Sequence, residues 1–438
     1  MFIRNVFMTL STEFFTLGGN FLAGILLARG LSVPERGIMV LVMSLPWTVA
    51  SLANLGLPQA NIYLVGRKKY DPKTVLGSSL AAALGLGLLT VLGMLAMRET
   101  ILNTALRGLP PEYYPLLLAL IPLLLVDGVL LSILRARQRF DLFNLRRLAS
   151  TLFLLVGFSS ALLLARGGLN LVVWVYLGAT LLLVAAGVLL TRREVPLTLR
   201  LDLHFTGDSL RFGFKSYLQN LAGALTYRLD VYLLAFFLAP EQVAFYAVAT
   251  ALAEVAWYIP DTVGVVLFPR LSNAPVEEVY AITARVCRNA IFITVIVVLV
   301  MAGLSWFLVP LIYGAAYVSS VQPLLILLPG IVFMGIYKVL TRNYSSRNRQ
   351  QVSIVAAVTA LIINVILNLI LIPRWGVAGA ALASTLGYTS AGLTLLAFFI
   401  KDSGFSWTEV LLPKGAELLG HVQWAKSALH GRWNKVRV

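Results

Sequence analysis

Tyr114–Leu134 reads YPLLLALIPLLLVDGVLLSIL, 21 residues with a single charge, Asp127. A helix rises 1.5 Å per residue, so about 20 apolar residues are needed to cross the hydrocarbon layer of a bilayer. This stretch has that length. A helix apolar on every side belongs in the core of a large protein or in a membrane, and the rest of the chain decides which. Of 438 residues, 59% are hydrophobic and only 12% charged, with a mean hydropathy of +0.86. Soluble domains carry about 25% charged residues. A soluble protein with half that charge would have too little polar surface to cover its outside, so the bilayer is the solvent that fits.

Working outward from this run, eleven more spans are expected near 7–29, 37–65, 75–97, 148–165, 169–190, 212–238, 242–267, 288–312, 320–341, 352–373 and 376–399. The expectation is an all-α polytopic membrane protein with twelve transmembrane helices. The first run is too long for a signal peptide and no A-x-A-like site follows it. A lone cysteine, Cys287, excludes an internal disulfide.

Basic loops stay on the cytoplasmic side. Arg4, the Arg67–Lys73 loop, the Arg135–Arg147 loop, the Arg192–Lys215 segment, the later even-numbered loops and the tail hold 28 of the 35 Lys and Arg. The other side holds six: Arg29, Arg36, Arg98, Arg107, Arg166 and Arg374. Both termini are therefore expected in the cytoplasm, with the chain in the cell (inner) membrane. The net charge of +16 is accounted for by positive loops facing anionic lipid, so nucleic acid is not an expected partner.

The chain repeats once. Leu27–Glu35 and Leu233–Glu241 share Leu-x6-Pro-Glu at an offset of 206, while Arg166-Gly-Gly168 and Arg374-Trp-Gly376 match at 208. Arg139 and Arg347 keep the latter offset. Six helices per half is an even number, so the halves are parallel about an axis along the membrane normal, a transporter arrangement with the substrate path between them. The expected organisation is an N-terminal lobe over 1–191, a connector over 192–210, a C-terminal lobe over 211–400 and a cytoplasmic amphipathic tail over 401–438. Leu197, Leu199, Leu201, Leu203 and Phe205 alternate, which suggests an extended connector on the inner surface. After Pro413, Leu418, Val422, Ala425 and Leu429 form one helical stripe, readable as an interfacial helix or as a frayed basic tail. Gly379, Ala383 and Gly387, and Ala83 and Gly87, mark close helix approaches. Pro46, Pro58, Pro122, Pro260 and Pro329 imply bends.

There is no G-x-x-x-x-G-K-[ST] phosphate loop, and His204, His421 and His430 lie outside the spans without metal-ligand spacing. No nucleophile constellation appears either, so an enzyme is not expected and no cofactor or metal is implied. What remains is charge inside the spans: Glu13, Asp127, Arg228, Asp230, Glu254 and Asp261. Each costs about 3 kcal/mol or more at the bilayer centre unless paired or hydrated. Counting ~1.5 Å per residue, Asp127, Arg228 and Glu254 lie near the midplane. Arg228 and Asp230 are two residues apart and face different ways, so Arg228 is expected to pair with Glu254 or Asp127. Two roles are open: charge pairs that hold helices together, or an Arg228 that meets an anionic substrate while acids carry a coupling H+ or Na+. Asn20, Asn61, Gln219, Asn220, Asn364 and Asn368 would add hydrogen bonds to a polar lumen or between helices.

Pro-Glu-Arg-Gly37, Arg-Leu-Asp230, Val-Ala-Phe-Tyr246, Gln-Arg139, Trp-Gly-Val-Ala-Gly379 and Leu-Leu-Pro413-Lys together resemble the multidrug/oligosaccharidyl-lipid/polysaccharide exporter superfamily. The chain looks most like its polysaccharide-biosynthesis branch, the Wzx-type flippases. The resemblance implies a flippase for undecaprenyl-pyrophosphate-linked oligosaccharide, the repeat unit of an O-antigen or exopolysaccharide. It implies alternating access, drawing on membrane potential, with polymerase and glycosyltransferases as neighbours. It also implies cationic residues for the phosphates and acids for ion coupling. Arg228 and Asp230 match positions where the branch often carries charge. One departure stands out: the spans hold five acids and one Arg, a formal −4. Lys215, Lys338 and Arg342 near the inner mouth are expected to supply the missing positive charge. A cation-coupled drug exporter of the same superfamily suits the acidic excess, and a non-transporting envelope scaffold would need only helix contacts. A lipid II flippase usually has two further helices, for which no room is seen after Ile400.

Overall fold

A computed structural model describes residues 2–415 and 417 apart from Ala105, Ala274 and Asn348, with the side chains of residues 2–7, 10, 215–216, 218–227, 265–266, 268–270, 272–273 and 276–277 excepted. Every regular element among the described residues is helical. In order they are α1 Phe2–Gly30, α2 Val33–Ala53, α3 Leu57–Gly66, α4 Pro72–Ala96, α5 Arg98–Asn103, α6 Tyr114–Ala136 and α7 Phe140–Ser159. They continue as α8 Leu169–Glu194, α9 Leu203–Phe237, α10 Pro240–Asn273, α11 Val276–Tyr313, α12 Val321–Ser346, α13 Gln350–Ser403 and α14 Trp407–Leu411. Among the described residues, nine helices are long and apolar enough to cross a bilayer. The protein is a multi-pass, all-α membrane protein.

Local chemistry places the helix starts. Ser32 and Glu35 close a reciprocal capping box on α2, and Ser406 and Glu409 do the same for α14. Asp71 and Asp202 accept the backbone N–H of Lys73 and Phe205 at the starts of α4 and α9.

Several boundaries differ from expectation, among them the start of α11 at Val276 rather than near 288, and three others shape the first unit. The single span 37–65 is two helices, because Leu55 (φ +48°) and Gly56 (φ +83°) turn left-handed between them and Asn54 Oδ1 accepts the Gly56 N–H at 2.8 Å. The break lets α9 in: a Cβ on Gly56 would lie 2.4 Å from the carbonyl oxygen of Gly213. Helix α7 begins at Phe140 rather than near 148, bringing Arg146 and Arg147 onto a helix. Helix α9 begins at Leu203, so the alternating connector ends early. Leu197, Leu199 and Leu201 stay exposed, while Phe205, already helical, is buried. Asp208 anchors this region, accepting from Lys69 Nζ and Tyr70 Oη, each at 2.6 Å. Those two partners hold the Asp208 carboxyl below its usual range, and the same hydrogen bond pushes the Tyr70 hydroxyl up to about 12.

Gly376 (φ +57°) interrupts α13, where two separate spans are expected. Arg166 (φ +49°) breaks the chain two residues before Gly168, the residue that the repeat aligns with Gly376. Close approaches occur where small residues were singled out: a Cβ on Gly87 would meet Pro122 at 2.9 Å, and one on Gly387 would meet Asn364 at 3.1 Å.

The chain forms two compact units. One comprises Met1–Val248, Phe307–Ser320 and Asn368–Ala380. The other comprises Ala249–Trp306, Val321–Leu367 and the chain from Ala381. In the first, α6 is central, packed by α2, α3, α4 and α8. In the second, Cys287, Val339, Leu340, Tyr344, Phe399 and Val410 share a buried cluster. Val410 carries the segment after the last span into that core. The expected interfacial stripe beyond Pro413 falls on residues outside the description.

Candidate functional site

In the first unit, Asp127 on α6 is ion-paired to Arg146 on α7, Oδ1 to Nη2 at 2.7 Å. Arg146 is nearly inaccessible, and its Nε also donates to the carbonyl of Leu183 on α8 at 2.9 Å. Of the two partners expected for Arg228, Glu254 or Asp127, the second is thus held by Arg146 instead. The reason is the early start of α7: Arg146, read as a loop residue, lies on the helix that packs against α6. Beside the pair is a cavity of about 220 Å³ at the α2–α3 break, lined by Trp47, Ser51, Asn54, Leu57, Leu124 and Asp127 among others.

Arg228 sits half-buried on α9 and makes no ion pair among the described residues. One turn on, Tyr232 shares a hydrogen bond of 2.5 Å with Thr48 of α2. Asp230 is buried and accepts a hydrogen bond from Tyr246 of α10, so it serves the α9–α10 packing. Glu13 lies on an exposed face of α1, paired with Arg147 at 2.6 Å. Asn20 is exposed. Of the two roles open to Asn61, a polar lumen or bonding between helices, its surroundings fit the second: it is fully buried, its Nδ2 donates to Ser132 Oγ at 2.9 Å and its Oδ1 accepts from Ser79 Oγ at 2.7 Å. Three helices meet there, and a buried amide is satisfied by whichever neighbours carry hydroxyls. The side chains of Lys215, Gln219 and Asn220 lie outside the described residues.

In the second unit the structure brings three expected residues together. Asp261 on α10 receives Lys338 Nζ at 3.3 Å and Arg342 Nη2 at 3.1 Å, both from α12. Four residues earlier on α10, Trp257 lies under Lys338, whose Nζ is 4.9 Å from the ring centre, and Tyr388 meets that ring edge-on at 6.0 Å. Glu254 adds an attractive charge toward Lys338. The Arg342 Nε is buried without a hydrogen-bond partner. A cluster with two cations, one shared carboxylate and an aromatic wall is suited to an anionic ligand. Asn364 is buried and donates to Ser384 at 3.1 Å, and Asn368, the first residue of the next stretch of the first unit, is buried as well.

Three of the five span acids are offset locally. Asp127 is offset by Arg146, Glu13 by Arg147 and Asp261 by Lys338 and Arg342. Sequence reasoning missed Arg146 and Trp257. The usable signal for Arg146 was the unpaired midplane Asp127, which obliged some cation to reach it. No group of three or more His, Cys, Asp or Glu able to hold a metal ion occurs among the described residues.

A family model described as polysaccharide biosynthesis protein matches residues 26–322. The chain belongs to that family. A curated relative from Haloferax volcanii (strain ATCC 29605 and equivalents), the probable low-salt glycan biosynthesis flippase Agl15, is 23% identical over 401 residues, covering 89% of this chain and 79% of its own. Among solved structures, the lipid II flippase MurJ in an inward closed conformation matches with a TM-score of 0.76 at 16% identity, over 91% of this chain and 90% of that one. An inward-facing multidrug resistance MATE transporter of the MOP superfamily matches with a TM-score of 0.75 at 15% identity, over 89% and 94%. This member of the polysaccharide biosynthesis family therefore has the fold of the MOP exporters.

Proposed function

We propose that the protein is a flippase that moves an undecaprenyl-diphosphate-linked oligosaccharide from the inner to the outer leaflet by alternating access, without covalent chemistry. The observation that carries this reading is the Lys338–Arg342–Asp261 cluster: two cations sharing one acid beside Trp257, in a family devoted to polysaccharide biosynthesis. The cations take the phosphates, and the indole offers a flat face of the kind on which sugars stack. The lipid tail stays in the bilayer while the head group passes, so binding and release suffice. Outward movement of an anion across a negative-inside membrane gains about 2.3 kcal/mol per charge per 100 mV. Twelve spans, two parallel six-helix lobes and cytoplasmic termini belong to this reading, as do coupling to H+ or Na+ and neighbouring polymerase and glycosyltransferases.

The ion pairs of Glu13, Asp127 and Asp261 weaken the argument for a cationic drug as substrate, since three of the five carboxylates that would attract it already hold cations. Reconstitution into vesicles with a fluorescent lipid-linked oligosaccharide tests the proposal. Flipping is expected in the wild type and lost in Lys338→Gln/Arg342→Gln. Full flipping in that double variant would remove the cluster from the mechanism. Efflux of cationic dyes without lipid flipping would transfer the assignment to a drug exporter.

A further inference from the structure

Six arginines lie on the side of the chain opposite the basic loops, and two of them, Arg29 and Arg36, converge on one short segment within the first unit. Arg29 at the end of α1 donates Nε to the carbonyl of Ile312 at 2.8 Å and Nη2 to that of Leu311. Both acceptors are in the last turn of α11. Arg36, in the first turn of α2, lies near Tyr313 and Tyr317 and next to Gly24 of α1. Its Nε is buried without a hydrogen-bond partner, and so is the Tyr317 hydroxyl.

Neither arginine has an acid among the described residues. The nearest in sequence, Glu35, is turned the other way, accepting from Ser32 N at 2.9 Å, Ser32 Oγ at 2.7 Å and Leu169 N at 3.4 Å. Around this pair the packing is tight and apolar. Pro240 fits into notches at Gly37 and Gly108, where an added Cβ would overlap it, and Phe21 meets Tyr313 edge-on. The result is a seam that ties α1 and α2 to the start of α10 and the end of α11. It contains two guanidinium groups, one held only by main-chain carbonyls and one with an unused buried donor.

Carbonyl dipoles satisfy the geometry of a guanidinium but not its charge, and an anion offered bidentate acceptors displaces them. We propose that Arg29 and Arg36 are a diphosphate-binding site built into this seam, so that an anionic head group arriving there opens it. The anion replaces Leu311 and Ile312 on Arg29, supplies the missing acceptor at Arg36, and thereby releases α11 from α1. This rests on the flippase reading, in which such a head group must leave past this end. The cationic cluster of the second unit loads the cargo, and the seam detects its arrival.

The test is cysteine labelling of Gly24→Cys protein in nanodiscs with a membrane-impermeant maleimide. A Cβ there has only the Arg36 guanidinium within 4.0 Å, and native Cys287 is buried. Inorganic pyrophosphate is expected to raise the labelling rate severalfold. Arg36→Gln should abolish the rise and Arg36→Lys should retain part of it. Arg29→Ala should raise labelling without any anion. No response to pyrophosphate in the wild type overturns the proposal. So does a full rise produced by phosphatidylglycerol nanodiscs alone, which would assign the site to an ordinary lipid head group. Flipping without a pyrophosphate response removes this inference and leaves the flippase reading. A response in a protein that flips no lipid-linked oligosaccharide does the reverse.

Discussion

Replacing Arg146 by Met strands Asp127 in the middle of α6. The guanidinium is 6% and the carboxylate 18% exposed, so water screens the pair little. Removing one partner of a buried pair costs about 3–5 kcal/mol, because the surviving charge is left uncompensated. Two features place this case at the lower end, about 3 kcal/mol: the carboxylate borders a cavity of about 220 Å³, and it can neutralise itself by protonation. The lost hydrogen bond to Leu183 adds about 1 kcal/mol. Replacing both residues, Asp127→Leu with Arg146→Met, removes both charges and should recover most of the loss. The assay is a double-mutant cycle by denaturant titration in mixed micelles, paired with lipid flipping on the same four proteins. A single-variant loss under about 1 kcal/mol, or a double variant whose loss equals the sum of the singles, would refute the assignment as a buried pair. Recovery of stability together with flipping makes the pair structural. Recovery of stability without flipping makes Asp127 part of the transport cycle.

Asn61→Leu should cost about 2 kcal/mol, since Ser79 and Ser132 both lose their buried partner; thermal denaturation with reconstituted flipping checks that the loss is of stability rather than of cargo recognition. Gly37→Ala puts a Cβ 1.8 Å from the Pro240 carbonyl oxygen, so it should force that seam apart and raise maleimide labelling at Gly24→Cys without pyrophosphate; unchanged labelling would show that the seam yields elsewhere. The Arg288 side chain grips Glu417 at 2.7 and 2.5 Å and also reaches the Glu409 carbonyl, which lowers the Glu417 carboxyl to about 2. That tie is complete above the ordinary carboxylate value and weakens as pH falls from about 4.5 toward about 2. Trp407 fluorescence should report release of this segment over that acid window, and Arg288→Ala should remove the transition. Arg288 also shows how a tail residue becomes a core partner: Val410, between the two acids, is wholly buried in the second unit.

Much was legible in the chain itself, for reasons that are local. Tyr114–Leu134 is apolar on all sides, and no fold other than a spanning helix satisfies its backbone in lipid; the same argument serves the other long runs. The positive-φ breaks at Arg166 and Gly376 fall inside the two Arg-x-Gly segments, though not at aligned residues. Lys338 and Arg342 are one turn apart on a helix, so their joint approach to Asp261 was readable once both were placed on one face. The partners of the remaining charges were not. Whether Asp127 meets Arg228 or Arg146 depends on which helix packs on α6, and nothing within either helix encodes that. By type Asn61 suits a lumen or a helix contact equally, and only the two serines on neighbouring helices that consume its amide choose the second. Arg29 and Arg36 read as loop charges, and only the packing of α11 and α10 against α1 and α2 makes them a seam. Apolar length is a property of one segment and survives without its neighbours; the pairing of a charge is a property of two segments, and tertiary structure alone chooses the second.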